Sequence, residues 1–277
     1  SAMSSHMSSL YELYRQAFRS TVRSLRHGWI AMLALVGFAG LFVGISQVAG
    51  SLGVAGGFLL GALNALLVGA TLSLIEQSLG GARSLRMQDI QDSVGCYFWE
   101  VIGVGFILWL TVMALDMGTQ ANPYGHFLSS AALLLLFILL NPAPEVIYQV
   151  RHDSPLDVLK TCYEFVLENW IEWFLPFGLL ILPVVLSPTG LQQFVSLSSR
   201  LGRGAGLDFF QLLILPFTVL GGWFGYLGLP SDVYWIVAIL LTPPVAMAIL
   251  LFRGHLFALL HGSSHRRRVF AGRFERE

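Results

Sequence analysis

Residues 53–75 read GVAGGFLLGALNALLVGATLSLI, and this stretch decides the fold. It carries no charge. As a helix rising 1.5 Å per residue it is about 34 Å long, enough to cross a hydrocarbon core about 30 Å thick. Small residues recur at every fourth position: Gly53, Gly57, Gly61, Ala65, Gly69 and Ser73. Such a stripe lets a second helix approach closely, which is how helices associate where lipid removes the hydrophobic drive. Gly40 and Gly44 in the preceding apolar stretch offer a shorter matching seam, so the first two spans are expected to pack as a hairpin. A homodimer seam is the alternative. Asn64 stands at the middle of the stretch, where a buried amide must find a hydrogen-bond partner.

The rest of the 277-residue chain fits this reading. Hydrophobic residues make up 55% and charged residues 12%, against roughly 25% charged in a soluble domain. Mean hydropathy is +0.70. A globule of this size cannot hide that much apolar side chain, so a soluble domain and a disordered chain are both excluded. The 16 basic and 16 acidic residues cancel, which argues against a nucleic-acid binder. Cys96 and Cys162 show no ligand or redox spacing. The opening SAMSSHM reads as a cloning remnant, followed by a basic amphipathic segment over 8–28, a membrane domain over 29–252 and a basic tail over 253–277.

The fold class expected is an all-α polytopic membrane protein with six spans: 29–48, 53–75, 94–115, 126–141, 207–229 and 233–252. Residues 173–188, interrupted by Pro176 and Pro183, are expected to be a short re-entrant or interfacial segment. That choice places every Lys and Arg, including Arg200 and Arg203, on the cytoplasmic side of a bacterial inner membrane, with both termini inside.

Two amphipathic cytoplasmic helices flank the core. In the first, Arg15, Arg19, Arg23 and Arg26 repeat on one face and Leu10, Leu13, Tyr14, Ala17, Phe18, Val22 and Leu25 on another, as in a helix lying against anionic headgroups. The second, 155–172, opens with a capping signal, Ser154-Pro155-Leu156-Asp157. Its polar side is acidic, with Asp157, Glu164, Glu168 and Glu172, and residues 145–172 carry a net charge of −4. A stripe of that sign should meet the arginines of 15–26 or Arg266, Arg267 and Arg268 of the tail. His261 and His265 belong to the same tail and read as part of a solvated basic end.

Glu100, about 9 Å inside its span by helical rise, is the ionisable group expected to need a partner, and Arg253 at the end of the last span is the one proposed. Glu76 can reach water. Pro142, Pro176, Pro183, Pro216 and Pro243 mark bent helices, and LLILP at 179–183 recurs at 212–216. Paired bends of that kind can line a transporter site, although apolar words repeat by chance in a leucine-rich chain. No phosphate loop, zinc helix, nucleophile elbow or ion filter is present, and His126 has no evident base or metal companion in sequence. No cofactor, metal or catalytic residue is expected. The first expectation is a permease-like protein moving a small apolar or amphipathic solute or a lipid. The second is a non-catalytic scaffold docking a partner protein or a second copy through its cytoplasmic face. A membrane enzyme comes third.

Overall fold

The computed structural model describes the backbone of residues 2–274 and the side chains of residues 7–263. Every regular element among them is helical: α1 (Ala2–His27), α2 (Trp29–Ala49), α3 (Val54–Gly80), α4 (Met87–Ser93), α5 (Phe98–Thr119), α6 (Gly125–Leu139), α7 (Ala143–Gln149), α8 (Pro155–Val185), α9 (Gly190–Gly204), α10 (Phe209–Tyr226) and α11 (Ser231–Phe274). Seven helical stretches are long and apolar enough to cross a membrane, and the chain is an integral membrane protein. α3 lies at the centre. In its most apolar window 61% of residues are buried, against 33% or fewer in the other six.

α2 and α3 pack as a hairpin, but not through the expected seam. The close approach is at Gly56, where a Cβ would lie 1.9 Å from the Ala49 carbonyl oxygen. Gly40, Gly44, Gly57 and Gly61 have nothing within 4 Å of a notional Cβ, and neither has Gly53, which instead takes φ +57 at the head of α3. The inner half of the stripe is enclosed: Ala65 and Ser73 are buried, and Gly69 meets the Cys96 carbonyl. A four-residue repeat drifts around a helix of 3.6 residues per turn, so one row of small residues cannot face one neighbour along its whole length.

α1 leads into α2 across the single non-helical residue Gly28, and its buried edge is Ala17, Thr21 and Ser24, leading to Gly28. These small residues lie against α11 and the end of α3: Ser24 Oγ is 2.8 Å from His255 Nε2, and Gly28 touches Ser78. Phe18 of the expected apolar face remains 64% exposed and Val22 36%.

α8 is not divided between 172 and 173, and helical structure continues through the prolines to Val185. The capping box closes as expected, with Ser154 Oγ accepting from the Asp157 N–H at 3.2 Å and the Asp157 carboxylate accepting from the Ser154 N–H at 3.0 Å. The bend lies at Asn169 (φ −131, ψ 24), not at a proline. Pro176 removes the N–H that would reach the Glu172 carbonyl, and the Tyr14 hydroxyl donates to that oxygen at 2.8 Å. With the freed carbonyl satisfied, the helix runs through. Burial, and then Glu172, push the Tyr14 hydroxyl up to about 12, so it stays a donor.

The loop joining α3 to α4 is clasped at Asp89. Its carboxylate accepts from Arg83 Nη2 at 2.6 Å and Nη1 at 3.1 Å, and from the Arg86 N–H at 2.6 Å. These bonds, the Arg83 one first, hold the Asp89 carboxyl below the usual carboxylate range. A depressed acid contributes stability that is complete above its unfolded value, about 4, and lost as pH falls through its folded value. Thermal unfolding of wild type and Asp89→Asn should therefore differ by a constant margin above about pH 5, narrowing steadily in more acid solution.

Candidate functional site

The prolines around residue 142 end α6 and open a short turn into α7, which leaves the carbonyl of Asn141 without a helical donor. Arg253 of α11 takes it, Nη2 donating to Asn141 O at 2.7 Å. The same guanidinium faces Glu145 of α7, with Nη2 donating to Oε2 at 3.0 Å and Nε 2.8 Å from Oε1. The Nε contact is an ion pair off the line a hydrogen bond needs, and Nε has no other partner among the described residues. Glu145 is 1% exposed and the Arg253 side chain 22%. Arg253 Cζ also stands 5.3 Å from the centre of the Trp173 ring, whose Nε1 donates to Asn141 Oδ1 at 2.9 Å. Asn141, Glu145, Trp173 and Arg253 thus form one connected cluster from three parts of the chain. Nη1 of Arg253 makes no hydrogen bond within it.

Two cavities meet at this cluster. A groove of 290 Å³ lies between α8, α10 and α11, lined by apolar side chains such as Pro176, Leu180, Val219 and Ala248, with Asn141 and Arg253 as its main polar elements. Phe18 and Thr21 of α1 close one end. Near the other, Trp223 Nε1 donates to Leu180 O at 3.0 Å and ties α10 to α8. A 40 Å³ chamber shares Asn141, Phe177, Leu215, Ile249 and Arg253 with the groove and extends to Pro216 and Gln211, whose buried Oε1 has no partner among the described residues. A chamber of that size has room for water.

Arg253 therefore does not pair with Glu100. That carboxylate stands in the first turn of α5, where the positive end of the helix dipole favours it, and forms no ion pair among the described residues. Glu76 accepts a hydrogen bond from the Tyr97 hydroxyl. Burial, followed by the bond to Glu76, raises the Tyr97 pKa. In the sequence Glu145 enters only the charge of 145–172. The signal that could have found it is an acid between two prolines and an apolar run, a place where a helix can resume inside the bundle.

Asn64 does find partners. Its Nδ2 donates to Leu207 O at 3.0 Å and its Oδ1 accepts from the Phe209 N–H at 2.8 Å, so one side-chain amide fastens both sides of the turn between α9 and α10. Among the described residues no salt bridge joins the acidic stripe to the α1 arginines. Arg15 pairs with Glu12 at 3.3 Å, Lys160 stands 3.9 Å from Glu164, and α1 reaches Glu172 through the backbone contact of Tyr14. Arg266, Arg267, Arg268 and His265 lie outside the described side chains, whereas His261 stacks on Phe257. Among the other prolines, Pro183 lies by a groove at the end of α8, and Pro243 falls inside α11.

Arg200 and Arg203 depart furthest from expectation. Arg203 bonds Asp116 through Nη1 at 3.0 Å and Nη2 at 3.4 Å. Asp116 is about 27 Å along α5 from Phe98, at the end of the bundle away from α1. These two arginines are thus not on the face that carries Arg15 to Arg26. Comparison with known proteins finds no matching family model, no similar curated protein and no similar solved structure.

Proposed function

We propose that this chain is a permease-like membrane protein that takes an amphipathic, lipid-like solute into the groove between α8, α10 and α11. The observation that carries the reading is the asymmetry of that groove: an apolar trough of 290 Å³ ending on one guanidinium. A hydrocarbon chain suits the trough, and Nη1 of Arg253 is free to meet a polar head. Bulk at Ala248, on the wall of the groove, tests it. With vesicles containing the purified protein, a fluorescent fatty acid should equilibrate across the bilayer faster than in protein-free vesicles. A diazirine fatty acid should label α10 and α11 saturably. Ala248→Trp should abolish both effects while leaving the melting temperature within about 2 °C. Unsaturable labelling, or flux equal to protein-free vesicles, overturns the reading.

The scaffold reading rests on a different observation. Leu156, Tyr163, Leu167, Trp170 and Ile171 stand exposed along the first part of α8, beside its glutamates. A partner co-purifying in fixed proportion, and lost on replacing Trp170 with Ala, would favour it.

The topology we assign has six crossings, both termini on the cytoplasmic face, and α9 with α10 as a hairpin that enters and leaves on the opposite side. Parity supports it. The contact of Ser24 with His255 brings the start of α2 and the end of the last span together, which favours an even number of crossings. α10 is the shortest of the seven apolar stretches, and its first residues are bonded to Asn64 midway along α3.

A further inference from the structure

We propose that the recess between α6 and α9 binds a phosphate group. It has a volume of 620 Å³, lies apart from the groove assigned above, and opens beside the α5–α6 turn. Gly202 brings the walls together: a Cβ there would lie 2.1 Å from the Leu133 carbonyl oxygen. His126 stands at its rim.

The hydroxyls of the recess differ from four threonines elsewhere in the bundle. Thr71, Thr111, Thr218 and Thr242, all within apolar helices, each donate back to the carbonyl four residues earlier at 2.7 to 2.8 Å. That is the usual fate of a hydroxyl in a helix surrounded by lipid or apolar side chains. Ser129 and Ser130 of α6, and Ser196 and Ser199 of α9, line the recess and make no such bond among the described residues. Four O–H donors therefore remain to be used in one hollow.

Charge points the same way. Arg203 is neutralised by Asp116, but the Arg200 guanidinium faces no carboxylate among the described residues. Its backbone is fixed independently, since Arg200 O accepts from Gln211 Nε2 at 2.6 Å. One net positive charge, a planar fork of donors and four hydroxyls exceed what the two oxygens of a carboxylate can accept. They suit the three or four oxygens of a phosphate. Leu133, Leu191 and Val195 on the same walls would meet acyl chains if the phosphate belongs to a lipid.

The full chain in a neutral sugar detergent is titrated with inorganic phosphate, with dioctanoyl phosphatidic acid, and with dioctanoylglycerol as the phosphate-free control, at constant ionic strength. Binding is read from the melting temperature and from ³¹P line broadening. Saturable binding of inorganic phosphate identifies a free phosphate compound, and binding of phosphatidic acid alone identifies a lipid headgroup. Either supports the proposal when Arg200→Gln and the Ser196→Ala/Ser199→Ala pair each weaken it by at least about tenfold and Arg200→Lys retains part of it. The proposal is overturned if neither phosphate probe saturates, if dioctanoylglycerol does as well as phosphatidic acid, or if the variants bind like wild type with unchanged melting temperatures.

Discussion

Glu145→Leu should lower the melting temperature of the detergent-solubilised protein by about 10 °C, the largest effect expected of any single substitution in the bundle. Glu145 is 1% exposed and faces a guanidinium only 22% exposed. Removing the acid strands that cation among Trp173, Asn141 and apolar groove walls, and breaking one half of a buried pair costs about 3–5 kcal/mol. Partial exposure of Arg253 places the loss near the lower figure. Asn141 O would still accept from Nη2, so the helix break at 140–142 keeps one of its fasteners. The double variant Glu145→Leu/Arg253→Met separates the two contributions. If the cost is an orphaned charge, removing both should recover more than half of the lost temperature. A double variant as unstable as the single one would mean that the pair holds α7 to α11 through geometry that apolar side chains cannot supply.

Glu145 carries no local mark of its role, unlike the spans and the start of α8. The spans were legible because lipid imposes a length and a composition that a single stretch such as 53–75 displays by itself. The start of α8 was legible because a capping box is local: Ser154 and Asp157 satisfy each other three residues apart. Asn64 was legible as a need but not as a contact, since its partners lie more than 140 residues away at Leu207 and Phe209. The continuity of the helix through 173–185 lies beyond the sequence for the same reason. Two prolines in a short apolar segment signal an interrupted helix, and only the hydroxyl of Tyr14, 158 residues distant, shows how the interruption is made good. The glycine row conveyed that a face is small, not what stands opposite. The side expected for Arg203 rests on a statistical bias of charge, whereas its carboxylate partner, Asp116, lies 87 residues away. In each case the residues supplied the requirement and the tertiary fold chose the partner.

Asn64→Leu should release the turn between α9 and α10, and this is the second large effect. The substitution leaves the Leu207 carbonyl and the Phe209 N–H beside α3 with no side-chain partner, deep among Phe38, Phe42 and the other rings that surround Phe209. An unsatisfied buried polar group costs about 1–3 kcal/mol, so the pair amounts to about 2–6 kcal/mol if nothing else reaches them. Water cannot enter that region cheaply. The turn should therefore rise toward the face where Arg203 meets Asp116, because α9 is joined there to α8 by a short link and α10 leads back to the same end. A single cysteine at Ala205 (2% exposed), with Cys96 and Cys162 replaced by Ser, reports the movement. In the Asn64 background it should be nearly inert to a membrane-impermeant maleimide in intact cells. In Asn64→Leu it should label at least about tenfold faster from outside. Asn64→Asp keeps an acceptor for the Phe209 N–H and should fall between them. Labelling from the cytoplasmic side instead would place the turn on the wrong face of the bilayer, and the six-crossing assignment with it.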